Sequence, residues 1–318
     1  MKFATAALTA FASESHRWAP SAVPVALRET WRAGTEGGWT HMNAAGASPS
    51  PDPVHAAYTG HLELERTIGG YAAAAQRGTA GDRDAHAAVA DLLNCAPDEV
   101  ALHESAQAAW ARAFYSLEFT STDRIVCFES EYAGNAVAFV QACKRSGAAL
   151  EVLPMRADGI ADVDALEATL ARGPADAAGR TLVALTHIQT DSSVVQPAAR
   201  VGALCRAHRA LYLLDACQSI GQLPVDVAAL CCDFASGTGR KWLRGPRGTG
   251  FLYARRGALS AARASGGAGL VGEPPIVDHV SVKWTGRHSY ELSEGARRFE
   301  MWEYSGGHFF PSWLGEVG

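Results

Sequence analysis

Lys241 sits between glycine clusters in the stretch Ser236–Arg255, SGTGRKWLRGPRGTGFLYAR, with Arg240 before it and Arg244 three residues after it. That window holds one lysine, four arginines and five glycines. Three chemistries fit such a window: a basic face for nucleic acid, a phosphate-binding loop, or an amine that bonds covalently to a phosphorylated cofactor. Glycines allow close backbone approach, and Thr238 and Arg240 supply a hydroxyl and a fixed cation suited to phosphate. A lysine beside another cation and partly desolvated loses its proton more readily and can act as a nucleophilic amine. A solvated surface lysine is the plain alternative. The spacing fails the GxxxxGK[ST] loop, because Lys241 follows Arg240 and precedes Trp242. GPRGTG leads into the strand-like FLY instead of opening a helix, so it is no dinucleotide fingerprint.

Asp215 ends the apolar run LYLL, which places it at the tip of a buried strand. On position alone it could be a helix cap or turn former. With a cationic partner it could instead keep a pyridine ring protonated, which makes the ring an electron sink. Ser105, Ala106 and Gln107 stand where ALH gives way to a helix-like run, and a helix N-terminus there suits a phosphate. A capping serine would explain that turn equally well.

These residues need elements to hold them. From about Ala85 onward, helix-like pieces (DAHAAVADLLN, NAVAFVQACKRSG, VDALEATLARG, AARVGALCRAHRA) alternate with strand-like ones (DRIVCF, ALEVLP, TLVALTHI, LYLLDA). CCDFASG and TGFLYA close the series. Such alternation predicts an α/β fold with a mostly parallel sheet flanked by helices, and the unbroken apolar runs predict burial on both faces. Ligands of such sheets sit beyond the carboxyl ends of the strands. The stretches to read are therefore 105–107, 131–135, 187–193, 215–218 and 236–241. The glycine-rich 264–275 reads as a mobile loop or boundary.

The 318 residues carry 28 basic and 33 acidic side chains, a net charge of −5. That balance argues against a nucleic-acid protein and leaves the basic cluster for something small. Seven cysteines without a CxxC pair fit reduced thiols and a cytoplasmic setting. No metal-ligand spacing appears among the eleven histidines, and no apolar run is long enough to cross a membrane. Residues 1–40 read as an N-terminal arm, with a targeting segment as the alternative.

Taken together, in this order, the residues are similar to the class V aminotransferase family, the fold-type I pyridoxal-phosphate enzymes that include cysteine desulfurases, selenocysteine lyases and isopenicillin N epimerase. The similarity runs from about His41 to Tyr304 and is densest from THIQTD to FLYAR, with HMNAAGASPSPDPV, EYAGNAVAF and ARRFEMWEY as further pieces. The resemblance implies pyridoxal 5′-phosphate as cofactor, a small amino acid as substrate and a homodimer with its site at the interface. It implies a Schiff base on Lys241, which later moves the Cα proton, and Asp215 on the pyridine nitrogen. Gln218 would bond the ring oxygen, near Thr190, where relatives often have asparagine. Thr238 and Arg240 would hold the phosphate with Ser105, Ala106 and Gln107, although relatives commonly have threonine in the place of Gln107. Tyr132 would stack on the ring, with a core tyrosine as its alternative. Asn43, Ala45 and Gly46 would border the substrate.

Relatives usually continue into a small C-terminal domain, which is expected to be largely missing here. The expected layout is an arm at 1–40, a cofactor domain at 41–270 and the start of a truncated small domain at 271–318. That missing part normally holds the arginine for the substrate carboxylate; Arg287, Arg297 and Arg298 are substitutes on charge alone. No cysteine follows Cys232, which speaks against the usual persulfide route. Three readings follow: an active transaminase, lyase or epimerase; a truncated chain that binds cofactor with little turnover; and a scaffold that kept the fold.

Overall fold

The computed structural model describes residues 41–79, 85–261, 273–278 and 281–301. The arm at 1–40, most of the glycine-rich 264–275 and the end of ARRFEMWEY lie outside the described residues.

Two helices, α1 (Asp52–Ile68) and α2 (Gly70–Thr79), precede the alternating region. Then come α3 (Ala85–Leu93), β1 (Val100–His103), α4 (Ala106–Tyr115), β2 (Arg124–Phe128), α5 (Ala133–Ser146) and β3 (Ala149–Leu153). The series continues with α6 (Val163–Arg172), β4 (Thr181–Thr186), α7 (Ala198–Ala207), β5 (Leu211–Asp215), β6 (Phe234–Thr238), β7 (Gly250–Ala254) and α8 (Arg256–Ala261). A hairpin of β8 (Val282–Gly286) and β9 (Ser289–Leu292) follows, then a 3-10 turn, Ala296–Phe299; another 3-10 turn, Pro97–Glu99, precedes β1.

Local chemistry sets the ends of several helices. Ser105 caps α4 by accepting from the Ala108 N–H at 3.1 Å, and Asp162 caps α6 by accepting from the Ala165 N–H at 2.9 Å. Helix α5 stops at Gly147, whose φ of 78° is a left-handed stop that glycine takes without penalty.

Strands β1 to β7 form one sheet in the order β1-β7-β6-β5-β4-β2-β3. Strands β2 to β6 pair in parallel, whereas β7 runs antiparallel to both β6 and β1. Alternate side chains on each strand divide between two cores. Val126, Val183, Leu214 and Ala235 pack on one face with Leu93, Leu166 and Val201 of α3, α6 and α7. Ile125, Leu182, Leu213 and Phe234 pack on the other with Trp110, Phe114 and Phe139 of α4 and α5. Continuous apolar runs therefore reflect two buried faces. The exception is β3, where Val152 is exposed: an edge strand needs cover on fewer sides.

This alternation positions the site. Asp215 lies two residues beyond Leu213, so it projects on the α4/α5 face. Thr186 and Ser236 lie beside it in register on β4 and β6.

Candidate functional site

A cavity of about 100 Å³ opens beyond the carboxyl ends of β4, β5 and β6. Its walls include Ser105, Ala106, Gln107, Tyr132, Thr190, Asp215, Gln218, Thr238, Arg240 and Lys241. Every residue expected from sequence to touch a cofactor thus borders one space. Trp110, Asn135, Thr186, Ile188 and Cys217 line it as well.

The strand tips supply the polar floor. Asp215 Oδ1 accepts from the Cys217 N–H at 2.9 Å, and Oδ2 lies 3.3 Å from Asn135 Nδ2. Asn135 Nδ2 also donates to Glu131 Oε1 at 3.0 Å, so one amide bridges two carboxylates. Glu131 Oε1 accepts in addition from Thr186 Oγ1 at 2.5 Å and the Tyr132 N–H at 2.9 Å. Burial, followed at a distance by the Asp215 charge, raises the Glu131 carboxyl above its ordinary range, while these donors lower it. The Cys217 thiol is pushed well above its ordinary value by burial and then by Asp215, which keeps it a neutral thiol and a poor nucleophile.

The α4 end supplies N–H groups. The first turn of a helix has N–H groups without acceptors in the helix, and here Ser105, Ala106 and Gln107 present that turn to the cavity. Gly250 makes this possible, because a Cβ on it would overlap the backbone of Ser105 and Ala106. Thr238 Oγ1 donates to the Thr249 carbonyl at 3.1 Å, so a phosphate would take that proton in place of the carbonyl. Tyr132, at the N-terminus of α5, is 50% exposed and stands at the mouth, not in the core.

Lys241 follows β6 in the loop that returns to β7. The loop is closed by the Gly239 N–H to the Thr249 carbonyl at 3.1 Å and the Gly245 N–H to the Gly239 carbonyl at 2.7 Å. Residues 43–49 are stitched onto it. Arg240 donates to the Gly46 carbonyl, the Ser48 N–H to the Arg240 carbonyl at 2.9 Å, and Arg244 Nε to the Pro49 carbonyl at 3.1 Å. Gln218 Nε2 donates to the Ala45 carbonyl at 3.1 Å and to Thr190 Oγ1 at 2.9 Å. Its Oε1 accepts from Trp242 Nε1 at 2.7 Å. Asn43, Ala45 and Gly46 therefore border the site without lining the cavity, and the Gln218 amide is already committed to protein partners. A ring oxygen would reach that amide only by displacing or sharing one of them.

Arg287, Arg297 and Arg298 do not line this cavity; Arg287 is at the β8–β9 turn, and Arg297 and Arg298 lie in the 3-10 turn. Sequence reading pointed to the stretch 131–135 but gave Glu131 and Asn135 no role. Their i, i+4 spacing at a strand-to-helix junction was the available signal.

The residues present fit pyridoxal 5′-phosphate. A helix N-terminus with Thr238 and Arg240 suits its phosphate, Asp215 its ring nitrogen, and Lys241 its aldehyde. Ser236 Oγ, 1% exposed and without a hydrogen-bond partner, shows that this face of the sheet has polar capacity left unused by the protein.

A sheet of this order, with only β7 reversed, an acid at the tip of β5 and a lysine after β6, is the fold-type I architecture. The chain belongs to the class-V aminotransferase family, whose model matches residues 41–288. A probable cysteine desulfurase of Methanothermobacter thermautotrophicus is 32% identical over 72% of this chain and 57% of its own length. The chain thus spans little more than half of that relative. The apo cysteine desulfurase of Thermococcus onnurineus NA1 superposes with a TM-score of 0.70 at 20% identity, over 86% of this chain and 65% of its own. A C-DES mutant with glycine covalently linked to the PLP cofactor superposes with a TM-score of 0.72 at 22% identity, over 91% and 72%. Among the described residues no helix is long and apolar enough to cross a membrane, and no cluster of three or more potential metal ligands occurs.

Proposed function

We propose that this chain is a pyridoxal-phosphate-dependent enzyme that acts at the Cα or Cβ of a small amino acid. The observation that carries this reading is the convergence of Lys241, Asp215, Arg240 and the α4 N-terminus on one cavity. The bound cofactor would supply a protonated ring that delocalises the electrons left when a bond to Cα breaks. Lys241 Nζ would hold the cofactor covalently and, once released, carry the Cα proton. Asp215 would keep the ring nitrogen protonated. Arg240, Thr238 and the N–H groups of Ala106 and Gln107 would anchor the phosphate. Tyr132 would cover the ring at the mouth, and Asn43 to Gly46 would wall the substrate side.

The relatives' names direct the choice of substrate first to cysteine, with carbon–sulfur cleavage as the reaction, ahead of transamination or epimerisation. The family resemblance also supports a homodimer and a cytoplasmic location. A second reading is cofactor capture with little turnover.

The test is to purify the chain with pyridoxal phosphate, record its visible absorption, reduce with borohydride and map the labelled peptide. Label on Lys241, lost in Lys241→Ala, supports the reading. Absence of band and label, or label elsewhere, overturns it. Turnover of cysteine to alanine or pyruvate with sulfur release then separates the first reading from the second.

A further inference from the structure

Behind Asp215 stands another acid that neither the fold nor the proposed chemistry requires. Glu131 lies in the turn between β2 and α5, and its Oε1 takes three donors: the Tyr132 N–H at 2.9 Å, Asn135 Nδ2 at 3.0 Å and Thr186 Oγ1 at 2.5 Å. Three donors on one oxygen favour the ionised carboxyl, against the burial that raises it. The link to Asp215 is direct. Asn135, 2% exposed, points the same Nδ2 at Asp215 Oδ2, 3.3 Å away, while Thr186 is the β4 neighbour of Asp215 in register.

We infer that Glu131 is a positioning residue for the cofactor's ring nitrogen: it orients Asn135 against Asp215 and adds a second negative charge that favours the protonated ring. The inference rests on the pyridoxal-phosphate reading above. Its physical basis is reciprocity. Two carboxylates joined by one amide repel each other while no cation is paired with Asp215. A cation delivered to Asp215 relieves that repulsion, so the Glu131 charge must in turn tighten the cation and its proton. A neutral residue in its place would orient Asn135 without this effect.

The other titratable groups around Glu131 do not supply the same charge. Cys127 on β2 is a buried thiol pushed up to about 12, and Tyr212 on β5 is buried and neutral. Burial lowers His187, after β4, to about 4, which keeps it uncharged near neutrality, and Cys217 is a neutral thiol. Lys241 and Arg240 enter from the loop after β6, where they would meet the cofactor's aldehyde and phosphate.

The experiment uses the whole chain loaded with pyridoxal phosphate labelled with nitrogen-15 in the ring. The ring-nitrogen chemical shift is followed against pH, together with cofactor affinity, for wild type, Glu131→Gln and Thr186→Val. Asp215→Asn serves as the reference for a ring that has lost its partner. Glu131→Gln is expected to lower the pH at which the ring nitrogen loses its proton by about one unit and to weaken affinity about tenfold. Thr186→Val, which keeps the charge but removes its shortest donor, shifts both in the same direction by less. A merely structural Glu131 would alter thermal stability and leave the ring-nitrogen titration in place. Unchanged titration and affinity in Glu131→Gln overturn the inference; if that variant does not fold, an unchanged titration in Thr186→Val does so. A wild-type chain that takes up no cofactor overturns the underlying reading, and this inference with it. A wild type that binds while both variants titrate normally overturns the inference alone.

Discussion

The Trp242 indole N–H donates to Gln218 Oε1 across 2.7 Å, so the residue after Lys241 is tied to the segment that carries Asp215. The bond fixes the lysine loop relative to the β5 tip, and hence the amine relative to the acid. Trp242→Phe keeps most of the ring volume and removes the donor, leaving Gln218 Oε1 short of a partner. A net hydrogen bond is worth about 1 kcal/mol, so cofactor retention should fall roughly fivefold. Spectroscopic titration with pyridoxal phosphate measures this; equal affinity in the variant would show that the loop needs no such tether.

In the proposed chemistry Asp215 would serve protonation and Lys241 covalent attachment, and substitution should separate the two. Asp215→Ala is expected to leave borohydride labelling at Lys241 in place while turnover falls roughly a thousandfold or more. Single-turnover rates with a reactive amino acid, compared with labelling yield, check the division. Near-normal rates would remove Asp215 from the ring nitrogen.

Gly250 opens β7 against the turn that precedes α4, and a methyl group there would overlap the backbone of Ser105 and Ala106. The obstacle is main chain, which cannot rotate away as a side chain can. Gly250→Ala should therefore destabilise the protein by about 1–3 kcal/mol and disturb phosphate binding as well. Urea unfolding and cofactor titration measure both effects. Stability loss with intact cofactor affinity would mean that the turn relaxes without moving its N–H groups.

His103 lies fully buried at the end of β1, and neither ring nitrogen has a hydrogen-bond partner. Burial, and then the nearby Arg112 cation, depress its pKa to about 3. The unfolded chain takes up this proton near the ordinary histidine value of about 6.5, while the folded chain refuses it until about pH 3. Stability contributed by this neutral ring is therefore complete above pH 6.5 and declines as the pH falls through the interval, by up to about 1.4 kcal/mol per pH unit. His103→Leu should flatten that decline by one proton's worth. Urea unfolding curves at a series of acidic pH values decide it; an unchanged slope would mean that His103 is already protonated in the fold.

Much of the fold was legible because β1 to β7 and α3 to α7 carry strong, unambiguous patterns: short apolar runs such as RIVCF and LYLLD against alanine-rich amphipathic stretches. The reversed direction of β7 leaves no mark in the apolar pattern. Yet only residues 239–249 separate β6 from β7, too few for a helical crossover, and that length alone favours an antiparallel return. Helices α1 and α2 stand apart from the alternating series, and α1 buries only Val54 and His61 of its side chains. The β8–β9 hairpin, with Trp284 and Tyr290 exposed, resembles no buried strand. At the site, residues at strand tips were readable from their positions. Glu131 and Asn135 were not, because their importance lies in a hydrogen bond to a residue 80 positions away from Asn135.

The bonds that join residues 43–49 to the lysine loop bear on how the protein is made. Arg240 and Gly46 are 194 positions apart, as far apart as almost any contact in the described chain. During synthesis the segment around Gly46 leaves the ribosome long before Arg240, Arg244 and Gln218 exist. Contacts of such sequence separation close late and slowly, because chain entropy opposes them until the intervening strands have assembled. The nascent chain can thus build β2, β3, β4 and their helices while the lysine loop is still unborn. Completion of the cavity would be a late event of folding, and capture of the cofactor its signal.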